Sequence, residues 1–206
     1  GGPEPGIGCA GRGISRMVEI LELAGSLRAG RYDVALFDVL GDVVCGGFAA
    51  PLREDMADQV VIVTSEELMS LYAANNVARA VRNYSANGAL LSGLVANLRD
   101  PDADRQALSR FAGLLGTSVL AWLERDPAVR RAEYARTTVV ESAPRSAFAR
   151  SVETLADALL ANAGGIIPTP LTDIDFQELS RRAFVGAPAK PTGRRDEPAP
   201  APGSAA

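Results

Sequence analysis

Val34-Ala35-Leu36-Phe37-Asp38-Val39-Leu40-Gly41-Asp42-Val43-Val44-Cys45 is the stretch on which the reading of this chain turns. Its first four residues form a short apolar run that ends on Asp38, the pattern of a strand buried on both faces of a parallel sheet. Upstream, Ile14 to Leu27 carries apolar residues at helical spacing, with Met17, Ile20, Leu21 and Ala24 on one face. Downstream, Val60 to Val63 is a second buried strand. Thr64-Ser65-Glu66-Glu67 then fits a capping box, in which the Thr64 hydroxyl and the Glu67 carboxylate satisfy each other's free backbone N–H groups. The helix it opens extends to about Asn83. Leu90 to Ala96 is a third strand, Arg105 to Leu115 a helix, and Ser118 to Trp122 a fourth strand. Helices follow over Ala147 to Leu160 and, N-capped by Thr172, over Asp173 to Phe184. Strands alternating with helices predict an α/β fold with a mostly parallel sheet flanked by helices.

The chain has 206 residues, 47% of them hydrophobic and 22% charged, which suits one domain with a substantial core. A net charge of -4 argues against nucleic acid as a partner. No apolar run approaches the ~18 residues of a membrane span, and the opening Gly1-Gly2-Pro3-Glu4-Pro5-Gly6 is not a secretory leader. The expected location is therefore cytoplasmic, away from membranes. With no initiator Met, the chain is expected to be a fragment of a longer protein. From Gly186 onward the sequence is Ala, Pro, Gly and charge, expected to form a disordered tail over 186–206 behind a domain of 1–185.

There are two cysteines and no histidine. Without histidine the usual Ser-His-Asp and Cys-His nucleophile pairs are excluded, along with the commonest zinc ligand. Cys9 and Cys45 both lie in glycine-rich turns, where backbone N–H groups can approach a bulky group closely. An iron–sulfur cluster uses such N–H donors to its sulfurs. A cubane cluster takes four thiolates and this chain supplies two, so a homodimer with the cluster on its two-fold axis would complete the set. The plain alternative is two unrelated cysteines, one buried as a small apolar residue. Asp38, at the end of its strand, stands where P-loop NTPases place the carboxylate that orients Mg²⁺. Asp42 follows after the pivot Gly41, a candidate to position water against a γ-phosphate. A loop that reads nucleotide at Asp38 and Asp42 would then end on the metal ligand Cys45, a hinge of the kind GTPases use.

Two motifs carry a resemblance. Glu4-Pro5-Gly6-Ile7-Gly8-Cys9-Ala10-Gly11-Arg12-Gly13 and Asp38-Val39-Leu40-Gly41-Asp42-Val43-Val44-Cys45-Gly46-Gly47-Phe48-Ala49 resemble the signature segments of nitrogenase iron proteins. The likeness continues through Tyr72-Ala73-Ala74-Asn75-Asn76, Asn97, Arg125-Asp126 and Arg131-Ala132-Glu133, from Gly1 to about Phe184. It implies the C-terminal two-thirds of a P-loop NTPase-type domain that lacks its N-terminal P-loop portion. It also implies a homodimer, MgATP, and one 4Fe–4S cluster per dimer held by Cys9 and Cys45. Asp38 and Asp42 would be the nucleotide-switch carboxylates, and Phe48 would pack by the cluster on the surface facing a partner. Asn97 would sit at the adenine, with Arg125, Asp126 and Glu133 near the nucleoside. Arg12 matches an arginine that some bacteria ADP-ribosylate. The implied function is that of dinitrogenase reductase, an ATP-dependent electron donor to the nitrogenase catalytic component, itself reduced by ferredoxin or flavodoxin.

Several features depart from that family pattern. The Gly-Lys-rich phosphate-binding loop is not in this sequence, so the fragment alone is not expected to bind or hydrolyse ATP. Glu124 stands where a proline is usual, and Arg130 where a glutamine is usual. Two other functions remain open: a nitrogenase-like reductase acting on a tetrapyrrole or a carbon–sulfur bond, and a non-redox P-loop scaffold for iron–sulfur clusters. Trp122 reads as core packing, Met17, Met56 and Met69 as core or surface fill, and the arginine-rich run from Arg125 to Arg136 as a solvated helix face.

Overall fold

The computed structural model describes residues 11–27, 30–39, 49–53, 56–161 and 164–181, and of residues 11, 12 and 53 the backbone only. In chain order the elements are α1 (Gly11–Leu23), α2 (Ala50–Arg53), β1 (Gln59–Thr64), α3 (Leu68–Asn83), a 3-10 turn (Ser85–Asn87), β2 (Leu90–Asn97), α4 (Arg105–Leu114), β3 (Val119–Leu123), α5 (Pro127–Tyr134), α6 (Val139–Ser142), α7 (Ala147–Ala161) and α8 (Asp173–Ser180). The three strands form one sheet in the order β1-β2-β3, with both pairings parallel. The α/β fold expected from the alternation of periods is therefore present. Parallel neighbours need a helical crossover, and α3 and α4 supply them.

The core lies on the face that α3 and α4 cover. Leu71, Ala74, Asn75, Ala78 and Val81 are the buried residues of α3, spaced as one helical stripe. They pack with Ile62 of β1, Leu91 and Leu94 of β2, and Leu108 and Phe111 of α4. Helix α7 covers β3. The one polar member of the α3 stripe, Asn75, is fully buried and fully satisfied. Its Nδ2 donates to the Leu171 carbonyl (3.0 Å) and its Oδ1 accepts the Leu171 N–H (2.8 Å). A side-chain amide thus stands in for a strand neighbour and fastens the segment before α8 to α3. Arg79 adds a second donor to the same carbonyl (2.7 Å) and pairs with Asp173. The segment is also bridged to the sheet, since Leu91 and Ile166 exchange backbone hydrogen bonds of 2.8 and 3.0 Å. Gly165 permits that approach, because a Cβ there would lie 2.6 Å from Leu90 Cβ and 3.1 Å from two backbone atoms.

Four expectations need correction. Val34 to Phe37 is not a strand: residues 34–39 run without regular structure, and Val34 and Leu36 are 51% and 89% exposed. An apolar run becomes a strand only through neighbours on its ladder, and no described residue pairs with it. Helix α1 ends at Leu23 rather than Leu27, because Gly25 takes a left-handed φ of 64° and closes a Schellman motif. In it Gly25 N–H donates to Glu22 O (2.8 Å) and Ser26 N–H to Leu21 O (2.9 Å). On the same helix Val18 is buried, whereas Met17 and Ile20 of the expected apolar face stand half exposed. The capping box over Thr64 to Glu67 does not form. Glu67 is itself the N-cap and makes no side-chain cap bond, while Thr64 still belongs to β1 and donates to Ser65 O. The hydroxyl that serves this turn is Ser65, which accepts Glu67 N–H (3.3 Å) and donates to Ser70 Oγ (2.8 Å). The Thr172 cap on α8 does form, as a full box with Asp175, but the helix is regular only to Ser180, and residues 182–184 lie outside the described residues. The expected tail over 186–206 also lies outside them.

Candidate functional site

Parallel strands place all their C-terminal ends on one edge, where the connecting loops gather and ligands of open α/β sheets bind. Here that edge carries three turns: Ser65 to Glu67 after β1, Leu98 to Asp104 after β2, and Glu124 to Asp126 after β3. Three of the predicted site residues, Asn97, Arg125 and Asp126, lie on it, and Glu133 stands further off along α5. Asn97, exposed, is the last residue of β2 and is in register with Leu123 of β3. The ladder is closed beyond it by Leu98 N–H donating to Leu123 O at 2.8 Å. Arg125 and Asp126 follow directly, so the pairing of β2 with β3 brings Asn97 beside the Arg125-Asp126 turn. Asp126 is also the N-cap of α5, accepting Ala128 N–H at 2.8 Å, with Pro127 at the first helical position. Glu133 is exposed in the last turn of α5, about 10 Å of helix rise from that cap.

The other predicted residues are not gathered there. Asp38 is exposed in the irregular segment 30–39. Cys9, Asp42, Cys45 and Phe48 lie outside the described residues, as does the side chain of Arg12, whose backbone is in the first turn of α1. Among the described residues no group of three or more His, Cys, Asp or Glu could hold a metal ion. No helix among them is long and apolar enough to cross a membrane.

Between the turns after β1 and β2 is a cleft of about 690 Å³ lined by Glu66, Glu67, Arg99, Asp100, Asp102 and Asp104, among others. Five of these six side chains are carboxylates, which does not suit a triphosphate. Several already have backbone partners. Asp104 caps α4, accepting from Gln106 and Ala107 N–H at 2.9 and 3.1 Å, and Asp100 accepts Asp102 N–H at 2.9 Å. Glu66 reaches across the cleft to accept Asp100 N–H (2.8 Å) and Arg99 N–H (3.1 and 3.2 Å to its two oxygens). Partial burial pushes the Glu66 carboxyl up, but these N–H donors and the Arg99 charge outweigh it and hold the group below its ordinary value of 4.5. The cleft is thus acidic, and the exposed Asn97 and the Arg125-Asp126 turn lie outside its lining.

Sequence reading missed two contacts at this edge. One is the Glu66 bridge, hidden because the capping pattern points to Glu67. The other is Arg105, the first residue of α4, which pairs with Glu124 and stacks 5.3 Å over the Trp122 ring. Trp122 packs against the core as expected, and this contact secures its outer side.

The fold and this strand-end edge define an α/β protein with a parallel sheet flanked by helices. Among solved structures the chain is similar to the cell division ATPase MinD of Pyrococcus furiosus, with 19% identity over 72% of this chain and 57% of that one and a TM-score of 0.52. The septum site-determining protein MinD of Pyrococcus horikoshii OT3, complexed with Mg-ADP, gives 20% identity, 72% and 56% coverage and a TM-score of 0.55. MinD of Aquifex aeolicus gives 14%, 76% and 63%, and 0.55. The chain thus spans less than two-thirds of each of these proteins, and likeness at this identity concerns the fold. The family is shown by sequence: residues 1–184 match the model for 4Fe-4S iron sulfur cluster binding proteins, NifH/frxC family, and the chain belongs to that family.

Proposed function

We propose that this chain is part of an ATP-dependent electron donor of the dinitrogenase reductase kind, acting as a homodimer on the nitrogenase catalytic component. The observation that carries this reading is the family match over residues 1–184, which spans both cysteine motifs as well as Asn97, Arg125-Asp126 and Glu133. The donor set fits a shared cluster: the chain has two cysteines and no histidine, so four thiolates require two copies. Cys9 and Cys45 would hold the 4Fe–4S cluster, which supplies a one-electron donor when bound. Asn97, in register with Leu123, and Arg125, two residues past it, would bind the nucleoside of MgATP, with Asp126 capping α5 and Glu133 further along that helix. Asp38 and Asp42 would sense the γ-phosphate and its Mg²⁺, and the short link from Asp42 to Cys45 would pass that state on. Phe48 would face the partner protein. A bulky anionic group on Arg12, close in sequence to Cys9, would obstruct docking.

The test is anaerobic EPR of the dithionite-reduced full-length protein with and without MgATP. The expected result is a reduced 4Fe–4S signal at one cluster per dimer whose shape changes with MgATP. No cluster would overturn the reading. A cluster indifferent to nucleotide would favour an iron–sulfur scaffold. Full nucleotide response without support of nitrogenase turnover would point to a related reductase for a tetrapyrrole or a carbon–sulfur substrate.

A further inference from the structure

We propose that Glu66 is a positioning residue for nucleotide binding, its carboxylate tying the turn after β1 to the turn after β2 and so fixing where Asn97 presents its amide. The inference rests on the nucleotide reading above and adds to it a residue that does not itself touch the ligand. Asn97 ends β2, and the residue after it still holds the ladder, through Leu98 N–H to Leu123 O. Beyond Leu98 the chain leaves the sheet, and the next two backbone N–H groups, of Arg99 and Asp100, both donate to Glu66. A carboxylate accepting two consecutive amide N–H groups makes charge-assisted bonds and fixes the orientation of the peptide units that carry them. Arg99 is two residues from Asn97, so the end of β2 that carries Asn97 is held by the ladder bond at Leu98 and, just past it, by the Glu66 bonds. Glu66 in turn stands two residues after the end of β1 and just ahead of α3, whose buried stripe anchors it to the core.

The Arg99 side chain is not the means of attachment. Its guanidinium approaches Glu67 at 3.7 Å with both side chains more than half exposed, a pairing that contributes little. The bridge therefore depends on the residue type at 66 and not on that at 99.

In the full-length protein, Glu66→Ala is expected to raise the KM for ATP about tenfold with kcat little changed, the signature of lost ground-state positioning. Glu66→Gln keeps an oxygen able to accept both N–H groups and should restore most of the affinity, and Arg99→Ala should behave as the unmodified protein. Amide hydrogen exchange of the unmodified protein gives a reading that does not depend on the alanine variant folding: Arg99 and Asp100 should be protected there. A KM within about twofold of the original in a Glu66→Ala protein that still binds ATP would overturn the proposal. So would rapid exchange of both amides in the unmodified protein. If the unmodified full-length protein binds no ATP, the nucleotide reading itself fails and this inference falls with it.

Discussion

Asn75 is the residue whose removal should be felt most in the core. Its side-chain amide is fully buried and makes two hydrogen bonds to Leu171. Replacing it by alanine strips the Leu171 N–H of its partner and leaves a small cavity under α3, while Arg79 still serves the carbonyl. The expected cost is about 1–3 kcal/mol, measured as a lower midpoint in denaturant unfolding at unchanged slope. Asn75→Asp should cost at least as much, since its acceptor-only carboxylate cannot donate to Leu171 O and its charge would be buried. The resemblance names Tyr72 to Asn76 as a block without saying what any member does. The coordinates give Asn75 a structural role and Tyr72 an edge-on contact with Phe176 at 5.5 Å.

Elements were readable in the sequence where one chain segment determines them, and unreadable where a distant partner does. Helices α4 and α7 and strands β2 and β3 lie within a residue or two of their expected bounds, and α3 ends at Asn83 as expected but opens later than the capping pattern at Thr64 placed it. Val34 to Phe37 has the same apolar character as β1 and no ladder, and composition alone does not separate the two cases. Near Thr64 the difficulty was competition: two hydroxyls and two carboxylates in succession can each cap a helix, and only the exit angle of β1 selects among them. The Glu66 bridge spans 33 and 34 residues and so has no local pattern. It does carry a pH signature. Because the folded-state pKa of Glu66 is depressed, its stabilisation is complete above the ordinary value of 4.5 and is lost as pH falls through the lower folded value. Glu141 behaves alike, held down by the Thr138 hydroxyl first, then by Thr138 N–H and the Thr137 hydroxyl. Unfolding followed from pH 7 to pH 3 should therefore show stability falling on the acid side, and Glu66→Gln should flatten part of that fall.

For the whole molecule, the family came through long motif resemblance, while three of the four strands expected from apolar runs form the parallel sheet. The two sources meet at the β2–β3 edge, where Asn97 is in register with Leu123, two residues before Arg125. The proposal of Cys9 and Cys45 as cluster ligands also rests on resemblance, since neither cysteine has a neighbouring cysteine or histidine to give a metal-binding spacing. The attachment of the segment before α8 has a consequence for synthesis on the ribosome. Asn75 and Leu171 are 96 residues apart, so the buried amide has no mate until nearly the whole domain has been made. At roughly 5–20 residues per second, that is a wait of about 5–20 s. Over that interval the groove on α3 that later receives Leu171 and Phe176 is open, and the nascent chain is a client for any chaperone that recognises apolar helix faces. Ribosome-stalled chains ending before residue 164 should be cut readily by protease within α3, whereas chains with residues 164–181 clear of the exit tunnel should resist. Equal resistance at both lengths would mean that the domain closes without its final segment.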